Sequence, residues 1–567
     1  MKHKIFAPAI FKENLKRFWP IVILGFIMCY ISGPIFILQH SGPLFTANVE
    51  NVLRNFNFGY ALYAAIFPCI SALAVFSYMH RNSSVLAMHA LPYTRKSLFV
   101  SNYLSGLLIS VIPVIATALL LAVCKQPTSD GIDFYGSELW NNSAYSLGNI
   151  AIWLAMLLIV ILFVYSLCVL AAMLTGNVVL QLLTSGGLNL LLPAFYLCFA
   201  AYADQFLFGY SAGIDFKVTE YFHPIFWLAD GAAGFLRSEK AALWTILFVG
   251  ISLAAAAGSY LIYKIRSLER TGDSYVFAPV KWAILVILVF FGTSVFGLGF
   301  AYDFGFMAYV IGFAASFLIS MMIIRGSFRI GLKKSIIPAV ICIAVVAAAT
   351  AGFAFDIFKL EKYVPKAENV ASMDLYGYGF RTKGTEKITD PEEIALITDI
   401  HKKIVSDFSE EDTSFEWTSF SFEYRLKNGR SVSRHYIVPI DYVKNNEEFN
   451  RLYTEYLKND FAEMFAGIKT AGLCGSLDLL DQVSDTYMSV DIGEFSAEQK
   501  QALVDALLED YQYDSFNEYL EAENDEVLGY IYLYGFSNLK DSMNFEIRKC
   551  NRNVLALAKE YITEYLE

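Results

Sequence analysis

From Leu139 through Ala203 the chain contains no Asp, Glu, Lys or Arg. A stretch that long without charge cannot be solvated, and only a bilayer or a very large core can cover it. Within it only Thr175, Gly176 and Asn177 interrupt the apolar run, so it reads as two antiparallel membrane helices joined by a tight turn. Runs of about 20 residues, the length a hydrocarbon core requires, recur along the first two thirds of the chain. They cover residues 20–38, 59–79, 98–123, 147–174, 179–201, 241–263, 282–300, 306–324 and 335–354, which makes nine spans.

Charge divides the chain in two near Phe355. Residues 1–354 carry 21 Lys/Arg against 13 Asp/Glu, and residues 355–567 carry 22 against 41. So acidic a C-terminal part is water-soluble and excludes nucleic acid, because phosphates need cations to neutralise them. On alternate sides of the nine spans Lys and Arg number 16 against five, with the N-terminus on the richer side. The positive-inside rule makes that side cytoplasmic, and an odd number of spans then places the acidic part outside the cell.

Residues 80–97, HRNSSVLAMHALPYTRKS, form a short polar island between spans two and three. Ser83 or Ser84 is a cap candidate, and Val85, Leu86, Met88 and Leu91 supply an apolar face over about two turns. Pro92 ends the segment at Leu91, and Arg81, Arg95 and Lys96 flank it. An apolar-faced helix at the cytoplasmic surface needs lipid headgroups or a partner protein to cover it. The N-terminal residues 1–19 interleave Lys2, Lys4, Lys12, Lys16 and Arg17 with Ile10, Phe11, Leu15 and Phe18, the pattern of an amphipathic helix on the inner leaflet or of a plain basic anchor. The outer loop 202–240 holds Phe222, Ile225, Phe226, Trp227 and Leu228, too apolar for solvent, which predicts short helices that cap the bundle or dip into the leaflet.

Beyond Phe355 the pattern is that of a soluble α+β domain. Thr389, Asp390, Pro391, Glu392 and Glu393 together make a helix start with a cap candidate, and its buried stripe is Ile394, Ile397, Ile400, His401 and Ile404. Residues 420–426 and 432–438 alternate around Asn428-Gly429 as a β-hairpin, with Arg425, Lys427, Arg430 and Arg434 read as charge protecting a sheet edge. Helices follow at 441–467, at 497–510 behind the capping box Ser496 to Gln499, and at 552–566, with an apolar strand at 527–536. The acidic cluster Glu521, Glu523, Asp525 and Glu526 reads as a solvated turn, and Cys474 with Cys550 is the one pair that an oxidising exterior could bridge.

Signatures of chemistry are missing. No P-loop and no H-E-x-x-H occur, and the seven histidines show no metal-ligand spacing. Gly209 to Gly213 matches G-x-S-x-G with His223 and Asp215 near it, but it follows a span rather than a strand and reads as a turn. Within the spans the main polar side chains, Gln181 and Asn189, suit interhelical hydrogen bonds, and no charge is present to relay protons or bind ions. Energy for any transport has to come from another subunit.

Together IFAPAIFKENLKRFW at the N-terminus, SSVLAMHALPYTRKSLFVSNYLSG after span two and the half-buried outer loop before span six resemble the permease subunit of a bacterial type-2 ATP-binding-cassette (ABC) exporter. The acidic part, with LITDIHKKIV and YRLKNGRSVSRHYIVP, is similar to an uncharacterised extracellular domain carried by some of these permeases. The resemblance implies a polytopic α-helical membrane protein followed by an α+β domain. Its parts are residues 1–19, a six-helix core 20–263, three further spans 264–354 and the domain 355–567; six spans are usual in the family, where nine are counted here. It also implies that Ser84, Val85, Leu86, Met88, His89, Leu91, Pro92 and Arg95 form the coupling segment seated in a separate ATPase subunit. ATP and Mg would be held by that partner and no cofactor by this chain. A second permease copy or a sibling would complete the complex in the bacterial cell membrane. The substrate would be amphipathic, lipid- or peptide-like. The competing reading is a membrane-anchored sensor or resistance protein whose outer domain binds a peptide, antibiotic or envelope component.

Overall fold

The structure is a computed structural model that describes residues 5–39, 48–49, 51–53, 57–124, 145–211, 221–228, 241–267, 270–326, 335–376, 387–408, 417–453, 455–456, 473–481, 486–510, 527–534 and 543–566. It divides into two compact units: Met1–Ala201 with Ile214–Thr350, and Tyr202–Gly213 with Ala351–Glu567.

Among the described residues nine helices are long and apolar enough to cross a membrane. The first, α1 (Pro8–Ser32), joins the basic N-terminal stretch to the first span through a kink at Phe18 (φ −104°, ψ 15°). Pro20 explains the kink, since it lacks the N–H that would bond the Lys16 carbonyl and its ring crowds that carbonyl. Then come α2 (Phe58–Phe76), the short α3 (Asn82–His89), α4 (Arg95–Val123), α5 (Leu147–Leu174), α6 (Val178–Phe206) and α7 (Ala241–Ile265). Side-chain caps start several of them: Asn57 accepts from Gly59 N and Tyr60 N, Thr94 from Ser97 N, and Ser146 from Asn149 N. One apolar core threaded by Tyr63, Phe76, Ile109, Trp153, Tyr165 and Phe248 unites this part. Trp227 and Leu228, 4% and 8% exposed, pack into it, so this apolar stretch of the 202–240 loop covers part of the bundle. The last three spans, α8 (Ala278–Gly299), α9 (Phe306–Arg325) and α10 (Ile336–Ala354), share a small cluster of Leu285, Val289, Phe317, Met321 and Cys342.

The second unit is α+β. β1 (Val370–Tyr376), β2 (Trp417–Leu426) and β3 (Ser431–Pro439) form one antiparallel sheet in that order. The β2–β3 hairpin turns at Gly429 (φ +81°), where the missing Cβ permits a left-handed residue, and its register runs from Trp417↔Pro439 to Arg425↔Ser431. Four strands, β4 (Cys474–Asp481), β5 (Thr486–Asp491), β6 (Gly529–Tyr534) and β7 (Met543–Ile547), form a second antiparallel sheet ordered β5-β4-β6-β7. Helix α11 (Pro391–Asp407) begins as the sequence predicts, with Asp390 accepting from Glu392 N and Glu393 N, and buries Ile394, Ile397, Ile400, His401 and Ile404. Helix α12 (Ala497–Asp510) has its reciprocal capping box, Gln499 N to Ser496 Oγ at 3.2 Å and Ser496 N to Gln499 Oε1 at 2.8 Å. Helix α13 (Arg552–Leu566) closes the chain. The helix expected at 441–467 begins as Ile440–Asn445 and is interrupted at Asn446 (φ −84°, ψ 98°); its residues 457–467 lie outside the described ones, as does the cluster Glu521 to Glu526, and Cys474 is a free, exposed thiol.

Two differences from the sequence reading matter. Tyr202–Gly213, expected in the outer loop of the membrane part, belongs to the second unit. Phe208 enters its core, Gly209 O accepts from His435 N at 3.0 Å, and Tyr210 pairs with Arg434 as a single antiparallel bridge, so a turn at 208–210 leans on β3. Arg434 does not protect an edge: it is 3% exposed, donates to Leu360 O at 3.0 Å and to Ser433 O at 2.9 Å, and lies over the Tyr210 ring. The G-x-S-x-G match therefore opens on a strand-like pairing of Tyr210 with Arg434, while Ala212, Gly213 and Asp215 lie outside the described residues.

Candidate partner-docking site

Helix α3 has eight residues and starts at Asn82, behind Arg81 rather than behind a serine cap: no side chain accepts from its first turn. It ends at His89, one turn before Pro92, with Ala90 N bonded to Leu86 O at 3.0 Å. The four apolar residues do not share one face. Val85 is 1% exposed, and Met88 packs partly buried between the bundle core and a small cluster of Ala7, Ile10 and Leu98. Leu86 and Leu91 are 64% and 40% exposed, and Pro92 is exposed beside them. Helical geometry explains the split, since positions 85, 88 and 89 stack along one side and 86 and 90 along another. Ser84 is half-buried at the edge.

Two residues of this segment grip α7. His89 Nδ1 donates to Val85 O at 2.9 Å, which leaves Nε2 to accept from Tyr263 Oη at 3.0 Å; Tyr78 Oη donates in turn to Tyr263 Oη at 3.5 Å. Arg95 Nη1 donates to Lys264 O at 2.8 Å and to Arg266 O at 3.4 Å.

Arg266, counted in the sequence only as loop charge, is 2% exposed. Its Nη1 donates to Ala172 O at 2.9 Å and Met173 O at 3.1 Å, and its Nη2 to Met79 O at 3.1 Å. A helix leaves its last four carbonyls without internal partners, and at the end of α5 all four are satisfied. Thr175 N and Oγ1 bond Ala171 O, Arg266 bonds the next two, and Val276 N bonds Leu174 O at 3.0 Å. Burial lowers the Arg266 guanidinium to about 10, with Tyr78 and Tyr263 opposing the fall, so it stays charged at neutral pH against the negative ends of two helices. Gly272 N bonds Gly176 O at 2.9 Å, and a Cβ on Gly176 would meet the Arg270 carbonyl oxygen at 2.9 Å, so this turn needs glycine. His80 Nε2 meets Gln181 Oε1 at 2.6 Å. Segments 78–95, 172–181 and 263–276 thus converge at one end of the bundle.

Polar anchors hold the first helix against the third span. Asn14, 8% exposed, donates to Asn102 Oδ1 at 2.7 Å and Ser105 Oγ at 2.8 Å, and Ala7 N donates to Ser101 Oγ at 2.8 Å. Asn189 donates to Ser185 O and accepts from His223 Nε2 at 3.2 Å; burial lowers His223 to about 4, which keeps it neutral.

Fold and site together define a multi-pass α-helical membrane protein with an appended α+β domain. Within that class the chain is similar to "Probable ABC transporter permease YtrD" of Bacillus subtilis (strain 168), with 28% identity over 248 residues, 41% of this chain and 67% of the relative. The resemblance to ABC transporter permeases read from the sequence holds against this curated protein, and the nine long apolar helices fit a membrane permease. No protein-family model matches the chain, and no solved structure matches it.

Proposed function

We propose that the chain is the membrane-spanning subunit of an ABC transporter, moving an amphipathic, lipid- or peptide-like substrate with ATP hydrolysed by a separate subunit. The ATPase docks on α3 and its flanks through Leu86, Leu91 and Pro92, with Arg81 and Lys96 at the rim, while Val85, Met88, His89 and Arg95 hold the segment to the bundle. ATP and Mg sit on that partner, and this chain does no chemistry of its own. A second copy or a sibling permease completes the pathway in the cell membrane. The observation that carries the reading is a short helix fastened to one end of the bundle with leucines turned outward, in a chain similar to a permease.

The docking end is cytoplasmic and the acidic domain lies outside. Convergence of segments 78–95, 172–181 and 263–276, with an even number of crossings between each and the next, fits one shared side, and the Lys/Arg bias of 16 against five is the reason to take that side as cytoplasmic. Purification of the tagged chain from its native membrane tests the proposal: an ATP-hydrolysing subunit is expected in the complex, and a chain isolated with none overturns it.

A further inference from the structure

We propose that Tyr263 and Arg266, at the end of α7, are positioning residues that pass movement of the docking segment to the ends of α2 and α5. The inference rests on the reading of α3 as the ATPase-docking segment. Helix α3 seats Val85 and Met88 on the bundle, and a push on it needs in addition a directed route to the neighbouring helix ends. His89 and Arg95 supply one: His89 bonds Val85 O within α3 through Nδ1 and Tyr263 of α7 through Nε2, and Arg95 bonds Lys264 O and Arg266 O at and just beyond the end of α7. From there the route forks. Tyr78 Oη bonds Tyr263 at the end of α2, and the Arg266 guanidinium spans Met79 O on one side and Ala172 O and Met173 O on the other.

The chemistry suits a joint. A guanidinium is a rigid planar fork whose donors reach three carbonyls on two chain segments at once, which a lysine ammonium cannot reproduce with fixed orientation. It bonds only backbone oxygens, so a shift of α7 pulls on the helix ends themselves rather than on side chains that could swing. The Tyr263 ring packs 5.8 Å from both His89 and Phe99, and loss of its hydroxyl alone would leave that packing in place.

The test uses the complex of the full chain with its ATP-hydrolysing subunit, comparing wild type with Tyr263→Phe and Arg266→Lys. Three quantities are read: ATPase subunits bound per permease, the thermal midpoint, and the ATP hydrolysis rate relative to the isolated ATPase. The relay predicts that Tyr263→Phe keeps stoichiometry and midpoint while the permease-dependent rate changes roughly 3- to 10-fold, the factor one such hydrogen bond represents. Arg266→Lys should change the rate at least as much with the subunit still bound. Unchanged rates in both variants overturn the inference, and so does a rate that falls only in step with stoichiometry and midpoint, which is the mark of a structural cap. If the wild-type chain binds no ATPase, the docking reading fails first and takes this one with it.

Discussion

Leu86→Asp separates docking from folding because the side chain is 64% exposed in this chain. Surface changes of this kind alter folding by about 0.5 kcal/mol or less. If an ATPase covers the leucine, the interface loses roughly 1–2 kcal/mol of apolar burial, and desolvating a carboxylate there adds about 2 kcal/mol more. Together these make about 3–4 kcal/mol, or two to three orders of magnitude in Kd. Leu86→Lys should weaken binding similarly, which separates lost apolar contact from attraction of the new carboxylate to Arg81 and Lys96. Met88→Asp and Val85→Asp cannot serve, since both side chains are turned into the bundle and their loss would disturb it. The assay is quantitative co-purification of the ATPase subunit with the thermal midpoint of the detergent-solubilised permease as control. Both Leu86 variants retaining the subunit at wild-type ratio, with unchanged midpoints, would refute α3 as the docking element.

Gly209→Ala should free the turn at 208–210 from β3, because φ is +66° and a methyl would fall inside the Tyr436 ring; strain and overlap together are worth roughly 2–5 kcal/mol. Hydrogen exchange at the His435 amide, which donates to Gly209 O, should accelerate at least roughly 30-fold, and unchanged protection would contradict the pairing. His401 lies fully buried between Tyr424 Oη (2.9 Å) and Tyr436 Oη (2.8 Å), and burial, reinforced by the Arg434 charge, lowers it to about 3. A base whose folded value is depressed stabilises the fold above its unfolded value near 6.5, and that stability is lost as pH falls from there toward 3. Exchange protection of β2 and β3 should therefore drop by about 2 kcal/mol from pH 7 to pH 5 after correction for intrinsic rates, and a flat profile would exclude a neutral buried histidine. Cys474, an exposed free thiol, should react with a membrane-impermeant maleimide on intact cells; labelling only after permeabilisation would place the acidic domain inside.

Elements with strong local signals were legible in the sequence. The nine apolar runs, the Asp390 cap, the Ser496 box and the Asn428-Gly429 hairpin each have a short-range cause, a run length, a cap or a turn, that a linear reading captures. β1, β4, β5 and β7 were not foreseen, and β4 is central to its sheet, because short strands are defined by partners far along the chain.

The docking segment divides in the same way. Its existence, its basic flanks and its place between two spans follow from the sequence, since run length and charge are properties of the chain itself. Which residues face outward does not, because an eight-residue helix has apolar side chains on two sides and only its seat on the bundle chooses between them. That seat includes Tyr263, more than 160 residues beyond α3 in the chain, with Arg266 joining the helix ends beside it. Composition marks Arg266 as one cation among many. Only the approach of two helix ends, each with carbonyls that water cannot reach, makes it the residue that holds them together.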